Sequence, residues 1–391
     1  MVLATWVYLI AARGGFWRTA ERDGDTPARS GPWPAVVAVI PARDEAEGIG
    51  QTVTSLLRQD YSGAFTVVVV DDQSRDSTAA IARNAAILIG ASERLTVLPG
   101  KPLPAGWTGK LWAQEQGVGF ASSASEPPAY LLLTDADIVY APDALTNLVA
   151  RAEEGGLVLT SLMAKLRCKS LAERLAVPAF IFFFQMLYPF AWANDPRRRT
   201  AAAAGGCMLV RSDALTKAGG LTAIRAALID DCTLAKLLKR QGPISIALTE
   251  RVRSIRPYPA LGDIRRMVSR SAYAQLEYSP LYLAGTVVGL ALTYLAPVAL
   301  AIFARGVPQF VGLFAWLLMA LAFRRTLRFY GLSSLWAPLL PAIAAVYMVF
   351  TLDSAYQHAR GRGGMWKGRI QADLSRQSAD LSKKSNVPDV R

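Results

Sequence analysis

The chain has 391 residues, a formal net charge of +13, 52% hydrophobic residues and a mean hydropathy of +0.25. This length allows one large domain plus a further segment. A strongly positive charge fits either nucleic acid or an anionic membrane surface, but the sequence has no zinc-finger spacing and no RNA-binding signature. We therefore expect no nucleic-acid partner. Long apolar runs with basic flanks favour a membrane instead.

The cysteine and histidine content excludes several kinds of catalysis. Cys168, Cys207 and Cys232 form no C-x-x-C pair, which argues against a disulfide framework or a zinc site. His358 is the one histidine and lies in a basic C-terminal segment. Ser-His-Asp or Cys-His catalysis would require His358 to fold back onto a distant domain. The chemistry is therefore expected to rest on carboxylates, a metal and cations.

The N-terminus begins with an apolar run from Met1 to Ile10. Such a run is short of the roughly 20 residues needed to span a bilayer. No small-residue cleavage site follows it, so residues 1–18 are predicted to be a membrane anchor or an interfacial helix rather than a removed signal peptide. Residues 19–34 are polar and contain Pro and Gly, which predicts a linker.

From residue 35 the pattern alternates between strand and helix. The predicted elements are strands over 36–40, 65–70 and 130–134, and helices over 45–58, 77–86 and 142–153. Continuous apolar strands of this kind are typical of a parallel sheet buried on both faces. The fold class expected is therefore a doubly wound α/β sheet. No G-x-G-x-x-G follows the first strand, which argues against a dinucleotide-binding domain.

Two carboxylates one residue apart, Asp135 and Asp137, follow the strand over 130–134. Because side chains alternate along a strand, both are expected to leave on the same side at its C-terminal tip. Ligands of open α/β sheets bind at that edge. Two hard oxygen ligands there suit Mg²⁺ or Mn²⁺ bound to a diphosphate.

Three further acidic pairs stand at predicted strand ends or at a helix start. Each is also compatible with a structural role, because carboxylates cap helices and favour their N-termini. As an ordered series they indicate a site. The pairs are Asp44-Glu45 after the first strand, Asp71-Asp72 after the second, and Asp230-Asp231 at the start of a predicted helix.

Beyond residue 280 the sequence contains three uncharged runs that predict transmembrane helices: 281–303, 307–323 and 335–352. Residues 353–391 are predicted to form a basic cytoplasmic tail. The positive-inside rule places Arg324, Arg325 and Arg328 in the cytoplasm, and three full spans would then put the tail outside. We therefore favour one re-entrant or interfacial run. The aromatic-rich segment 175–193 is interpreted as an interfacial helix at the entry for a lipid acceptor, with a core helix as the alternative.

The motif set resembles the inverting family 2 glycosyltransferases, which have the GT-A fold, over roughly residues 35–275. The resemblance implies that Pro41, Asp44 and Glu45, with Asp72, hold the uridine of the donor, that Asp137 with Asp135 binds the metal, and that Asp231 is the general base. The family usually has Glu-Asp where this chain has Asp230-Asp231. The matching segments are 39–45, 69–78, 135–137, 205–211 and 230–231.

A narrower resemblance is to the membrane-bound hopene-associated glycosyltransferases of bacterial hopanoid gene clusters. It is carried by residues 103–113, 178–192 and 364–369. By analogy Lys110 would reach the nucleotide or its phosphates, with a solvated surface lysine as the alternative. Trp366, Lys367 and Arg369 would close over the site, or would contact phospholipid.

Processive members of family 2 carry Q-x-x-R-W before their transmembrane helices. Here only Arg270 of that motif remains, since Met267 and Ser271 replace the glutamine and the tryptophan. This departure favours a single transfer over polymer synthesis. Arg270 would contact the diphosphate, or would form a structural ion pair.

The sequence therefore predicts a GT-A nucleotide-sugar-binding domain followed by C-terminal transmembrane helices. Its expected activity is metal-dependent, inverting transfer of a sugar from a UDP-linked donor to a lipid, for which the resemblance implies a hopanoid or related polyprenoid. The expected location is the bacterial inner membrane, with the catalytic domain in the cytoplasm. Two alternatives stay open: a polyprenyl-phosphate glycosyltransferase, and a non-catalytic nucleotide-binding membrane protein.

Overall fold

The computed structural model describes residues 1–28, 31–364 and 367. Within these residues one mixed sheet contains eight strands: β1 (Val36–Ala42), β2 (Phe65–Asp71), β3 (Leu95–Pro99), β4 (Tyr130–Thr134), β5 (Ile138–Tyr140), β6 (Leu159–Lys165), β7 (Cys207–Arg211) and β8 (Ile244–Ser254). Their spatial order is β3-β2-β1-β4-β7-β6-β8-β5. The predicted α/β class is confirmed.

The described α-helices alternate with these strands and continue beyond them. They are α1 (Val2–Ala12), α2 (Ile49–Leu57), α3 (Thr78–Leu88), α4 (Gly109–Ser122), α5 (Ala144–Glu154), α6 (Leu171–Leu187), α7 (Phe190–Asn194), α8 (Ser212–Lys217), α9 (Asp230–Leu238), α10 (Leu261–Ser269), α11 (Pro280–Leu290), α12 (Ala296–Phe303), α13 (Val307–Phe329) and α14 (Leu340–Ala359). A short π-helical segment, Ala291–Leu295, joins α11 to α12.

The parallel half of the sheet consists of β3, β2, β1 and β4. Its strands are rich in Val, Ile and Leu because apolar cores cover both faces. β1 was expected to stop at Pro41, but it continues and pairs Pro41 with Val70. Pairing with β4 ends at Val39, so β1 is paired on one side only beyond that point. A strand tolerates the missing N–H of proline in that situation.

The other half of the sheet is mostly antiparallel. β7 runs antiparallel to both β4 and β6, and β5 runs antiparallel to β8. Asp135 and Asp137 lie in the turn between β4 and β5 rather than on an extended strand. The strand-alternation argument for their common direction is therefore wrong, since a turn does not follow the period of two. The two carboxylates contact different cations, as described below.

One helix begins later than its sequence pattern predicts. The helix expected from Glu45 begins at Ile49 as α2. The backbone N–H of Glu45 donates to Thr78 Oγ1 at 2.9 Å, and that of Ala46 donates to Asp76 Oδ2 at 3.1 Å. These N–H groups therefore stabilise the loop that follows β1 by bonding to side chains of the loop after β2. The acidic pair stays in this loop at the edge of the sheet.

The chain divides into two compact units, which we call the sheet unit and the helical unit. The sheet unit comprises residues 22–166 and 193–256, together with Lys367. The helical unit comprises residues 1–21, 167–192 and 257–364. The N-terminal helix α1 and the aromatic helix α6 thus both group with the C-terminal helices.

Three helices of the helical unit are long and apolar enough to cross a membrane: Pro280–Phe303, Val307–Phe329 and Ser334–Ala359. Only 17%, 28% and 39% of their most apolar windows are buried. The remaining apolar side chains point outward, as expected for helices that contact lipid rather than a protein core. The three predicted runs are therefore confirmed as candidate spans, and they suggest membrane association.

The core of the helical unit ties its three chain segments together. In α1, Trp6 is fully buried, and its indole N–H donates to the carbonyl of Thr293 at 2.8 Å. In α6, Phe182 is fully buried and packs against Phe16 and Phe323. The N-terminal helix is therefore part of the bundle. The interfacial placement of α6 stays a prediction.

Candidate functional site

The acidic motifs of the sheet unit converge at one edge of the sheet. β1, β2 and β4 are parallel, so their C-terminal ends meet at the same edge. The loops that follow carry Asp44-Glu45, Asp72 and Asp135–Asp137. In open α/β sheets this edge is where ligands bind.

The loops after β1 and β2 are joined by hydrogen bonds. Asp44 has a positive φ of 51°, which turns the chain sharply after the strand. Its backbone N–H donates to Ser74 Oγ at 3.0 Å, and its carboxylate accepts the backbone N–H of Arg75 at 2.7 Å. The side chain of Asp44 is therefore engaged in shaping the two loops.

Asp72 is completely buried at the centre of these loops. Its carboxylate lies 3.6 Å from the guanidinium of Arg43, which is also buried. The same guanidinium donates to the backbone carbonyl of Asp72. A nucleotide base could reach this carboxylate only if Arg43 moved, so direct uridine recognition by Asp72 stays a prediction.

Lys110 joins two of the acidic motifs. It stands in the first turn of α4, where Thr108 caps the helix. Its ammonium lies 2.9 Å from Asp135 and 3.0 Å from Asp230. The D-x-D turn and the start of α9 are thereby held on opposite sides of one cation. We call Lys110, Asp135, Asp230 and Asp231 the Lys110 cluster.

The pKa values of this cluster reflect its burial and charge. Burial disfavours the charged form of Lys110, but Asp135 and Asp230 outweigh it and raise the pKa of the ammonium above its usual value. Burial also raises the pKa of Asp135, although Lys110 opposes this. Lys110 is therefore a permanent cation that is already occupied by carboxylates. It is not the solvated surface lysine of the alternative interpretation.

Asp231 differs from its neighbours because it forms no ion pair among the described residues. It stands in the first turn of α9 and is half-buried. One carboxylate oxygen accepts the backbone N–H of Gly205 at 3.0 Å, and the other accepts that of Cys232 at 2.7 Å. Burial, with repulsion from Asp230, raises the pKa of Asp231 to about 6. Such a carboxylate is largely ionised at neutral pH and is a stronger base than an ordinary aspartate.

Because Gly205 has no side chain, Lys110 and Asp231 can approach its backbone closely. A Cβ atom at this position would lie 3.1 Å from Lys110 Nζ and 3.5 Å from Asp231 Oδ2. These distances also show that the lysine and the predicted base approach the same point. The site therefore brings together three residues that the sequence analysis singled out, Asp135, Asp231 and Lys110.

A second group of charges surrounds the other carboxylate of the D-x-D turn. Arg256 Nε donates to Asp137 Oδ2 at 2.9 Å, and Ser254 Oγ donates to the same oxygen at 3.0 Å. The other end of the guanidinium donates to both oxygens of Glu45 at 2.8 Å. Lys367 Nζ lies 2.9 Å from Glu45 Oε1. We call Arg256, Glu45, Asp137 and Lys367 the Arg256 cluster.

Lys367 also donates to the backbone carbonyl of Asp44 at 2.8 Å, so this residue of the tail lies directly at the candidate site. Its predicted companions Trp366 and Arg369 lie outside the described residues. Arg270 belongs to the helical unit, where it caps the C-terminus of α10 and is exposed. The contact of Arg270 with a diphosphate stays a prediction.

The carboxylates at this edge of the sheet fit a divalent metal only in part. Asp135 and Asp137 supply hard carboxylate oxygens, which Mg²⁺ and Mn²⁺ prefer. Among the described residues, however, no group of three or more His, Cys, Asp or Glu side chains could hold a metal ion by itself. Such a metal commonly takes one or two carboxylates and completes its shell with substrate phosphates. Asp135 and Asp137 therefore fit a metal that is bound together with the phosphates of a nucleotide-sugar donor.

Sequence reasoning missed Arg43, Gly205 as a point of close approach, Ser254 and Arg256. Arg256 is 211 residues from Glu45 in sequence, and its neighbours Arg251 and Arg253 give it no distinguishing pattern. A signal was present in its position, since it follows the strand β8 that pairs with β5 just after the D-x-D turn. Cys168, Cys207 and Cys232 form no disulfide, and His358 stacks on Tyr278 in the helical unit.

The fold is of the GT-A type. A solved mannosyltransferase from Pyrobaculum calidifontis, in complex with GDP-Man and Mn²⁺, aligns with 90% of this chain and 99% of its own. The TM-score is 0.53 and the sequence identity is 19%, so this likeness shows the fold.

Residues 37–219 match the family model of glycosyl transferase family 2. This match covers just under half of the chain. It is also 30% identical over 162 residues to an N-acetylglucosaminyltransferase of Mesorhizobium japonicum. That match covers 39% of this chain and 34% of the relative, so the chain spans about a third of the length of the curated protein it matches.

Proposed function

We propose that this protein is a membrane-bound inverting glycosyltransferase that moves a sugar from a nucleotide-diphosphate donor to a hydroxyl group of a lipid. The observation that carries the proposal is the Lys110 cluster. It places Asp231, a carboxylate without an ion pair among the described residues, beside a cation and beside the D-x-D turn, in a chain whose residues 37–219 match glycosyl transferase family 2. These are the groups that a single displacement at an anomeric carbon requires.

In the proposed reaction the hydroxyl oxygen of the acceptor attacks the anomeric carbon as the bond to the diphosphate breaks. Asp231 accepts the hydroxyl proton, and the two backbone N–H groups of Gly205 and Cys232 hold its carboxylate in place. Lys110 fixes Asp135 and Asp230 on either side of the site. A divalent metal held by Asp135 and Asp137 would neutralise charge on the departing diphosphate.

The charge balance of the Lys110 cluster supports this reading. Three carboxylates face one ammonium there, which leaves a formal charge of −2 when all are ionised. A divalent cation carries the charge that would balance it. Arg256 already pairs with Asp137, so metal and guanidinium would share or exchange that carboxylate.

The finer assignments rest on resemblance. We propose a UDP-linked donor, a single transfer, and a hopanoid or related polyprenoid acceptor at the cytoplasmic face of the bacterial inner membrane. The three apolar helices support a membrane-embedded acceptor. The solved mannosyltransferase contains GDP-Man, so the test must include GDP-linked as well as UDP-linked sugars.

The test is nucleotide release and sugar transfer by the purified full chain in detergent, with a panel of UDP- and GDP-sugars, Mg²⁺ or Mn²⁺, and a hopanoid-containing lipid extract. Asp137→Ala is measured beside Asp213→Ala, a matched control at an exposed surface aspartate. We expect metal-dependent release from one donor, lost in Asp137→Ala and kept in the control. Nucleotide binding without release from any donor would contradict the proposal and favour a non-catalytic binding protein.

A further inference from the structure

The two aspartates of the D-x-D turn differ in which partner of the ion pair faces solvent. At Asp135 the carboxylate is the more exposed partner, with 35% of its side chain accessible against 19% for Lys110. At Asp137 the cation is the more exposed partner, with 33% of the Arg256 side chain accessible against 13% for the carboxylate. A ligand from solvent therefore meets an open carboxylate at Asp135 but a guanidinium at Asp137.

The register of β8 fixes Arg256 beside Asp137. β8 pairs with β5 so that Ser254 lies opposite Ile138. The backbone N–H of Ile255 then donates to the carbonyl of Asp137 at 2.9 Å. From this register Ser254 Oγ and Arg256 Nε both donate to Asp137 Oδ2. The backbone thus delivers two donors to one carboxylate oxygen, so the ion pair is not a chance contact between two surface side chains.

Glu45 holds the other end of the same guanidinium. Nη2 of Arg256 donates to both oxygens of Glu45 at 2.8 Å. Lys367 Nζ lies 2.9 Å from Glu45 Oε1 and adds a second cation at this carboxylate. If Nε leaves Asp137, the guanidinium therefore stays tethered at Glu45. It can change its partner without leaving the site.

A divalent metal and a diphosphate experience this arrangement in opposite ways. Because like charges repel, the guanidinium opposes a bare metal ion that approaches Asp137. The planar fork of arginine suits phosphate oxygens, so the same group attracts a diphosphate. Arg256 therefore penalises the metal alone and favours the nucleotide.

We propose that Arg256 makes metal binding at the D-x-D turn depend on the presence of the donor. Without donor, its guanidinium holds Asp137 and opposes a divalent cation. With a nucleotide diphosphate bound, the guanidinium turns to the phosphates and leaves Asp137 to the metal. This role rests on the proposed function, because it takes the donor to carry a diphosphate.

The test measures two affinities of the purified full chain in detergent, with no sugar donor and no acceptor. Mn²⁺ binding without nucleotide is followed by electron paramagnetic resonance of the free ion. Binding of UDP and of GDP without metal is followed by titration calorimetry. Neither measurement requires turnover, so the outcome is separate from the nucleotide release that tests the proposed function.

Arg256→Gln should change the two affinities in opposite directions. We expect Mn²⁺ to bind about fivefold more tightly, the scale of one partly exposed ion pair that no longer competes for Asp137. The nucleotide that the unchanged chain prefers should bind about tenfold more weakly, the effect of one lost hydrogen bond to a charged group. Arg253→Gln, at an exposed arginine near the end of β8, is the matched control and should leave both affinities unchanged.

Arg256→Lys separates charge from packing. It keeps a cation beside Asp137 but loses the fork that also reaches Glu45. We expect its Mn²⁺ affinity to equal that of the unchanged chain, while its nucleotide affinity falls. The melting temperature without ligand shows whether Arg256→Gln folds, and if it does not, Arg256→Lys carries the test.

Three results would overturn the proposal. An unchanged or lower Mn²⁺ affinity in Arg256→Gln would do so, since a merely structural role lowers both affinities together. An unchanged nucleotide affinity would show that the guanidinium does not face the phosphates. Mn²⁺ binding that tightens in Arg256→Lys as much as in Arg256→Gln would assign the effect to changed packing.

Discussion

The two charge clusters at the edge of the sheet share one turn but balance their charges differently. In the Arg256 cluster two carboxylates, Glu45 and Asp137, face two cations. In the Lys110 cluster three carboxylates face one cation. A neutral cluster is suited to holding a fixed geometry, whereas an excess of negative charge raises a carboxylate pKa and attracts cations. The difference suggests that one cluster positions ligands while the other takes part in proton transfer.

Asp231→Asn should have the largest effect, because it removes the one carboxylate of the Lys110 cluster that has no cation partner. We expect the rate of transfer to fall about 10³-fold, the usual contribution of a general base. The measurement is product formation at saturating donor, with Asp213→Asn as the matched surface control. Near-normal turnover would mean that the acceptor oxygen is already ionised, as in a polyprenyl phosphate.

Lys110→Met should affect both activity and stability, because it leaves Asp135 and Asp230 facing each other without a cation. Breaking a buried ion pair on one side is strongly unfavourable. We expect a melting temperature lower by about 4 °C or more, together with a large loss of turnover. Lys217→Met, at an exposed pair with Asp213, controls for the loss of a lysine. An unchanged melting temperature would show that Lys110 is not structurally engaged.

Arg256→Gln should act mainly on donor binding, because the Arg256 cluster carries no unpaired base. We expect the KM for the donor to rise about tenfold while kcat changes much less. Arg253→Gln, an exposed arginine near the end of β8, is the matched control. A loss confined to kcat would contradict the division of roles between the two clusters.

The smallest effects are expected in the pH dependence. Because the general base must be deprotonated, the rate should be full above the pKa of Asp231, about 6, and fall tenfold per pH unit below it. Lys110 lowers this pKa and Asp230 raises it. The apparent pKa from the pH–rate profile should therefore rise in Lys110→Met and fall in Asp230→Asn. Shifts in the opposite directions would refute the assignment of Asp231.

The sequence predicts three strands of the parallel half of the sheet, β1, β2 and β4, for a physical reason, but β3 was not predicted. β1, β2 and β4 are buried on both faces and read as unbroken apolar runs. The antiparallel half was not predicted strand by strand. β5 has only three residues, and β8 ends in the mixed sequence Glu250 to Ser254, so neither gives a clear pattern.

The sequence analysis singled out the acidic residues of the candidate site and two of its cations, Lys110 and Lys367, but missed Arg43 and Arg256. Carboxylates after apolar strands are visible in a linear sequence, as Asp135 and Asp231 show. Arg43 and Arg256 acquire their roles only through contacts across the fold. Lys110 was found by resemblance, but its bridging position between Asp135 and Asp230 could not be read from spacing, because those residues are about a hundred positions apart in the chain.

The most direct test of the account measures donor binding and turnover together in Asp231→Asn and Asp137→Ala, using Mn²⁺, the donor identified in the panel, and titration calorimetry. The account predicts that Asp231→Asn binds the donor normally and does not transfer its sugar, whereas Asp137→Ala loses the Mn²⁺-dependent part of binding. Normal transfer by Asp231→Asn, or unchanged binding by Asp137→Ala, would contradict the roles assigned to the two clusters.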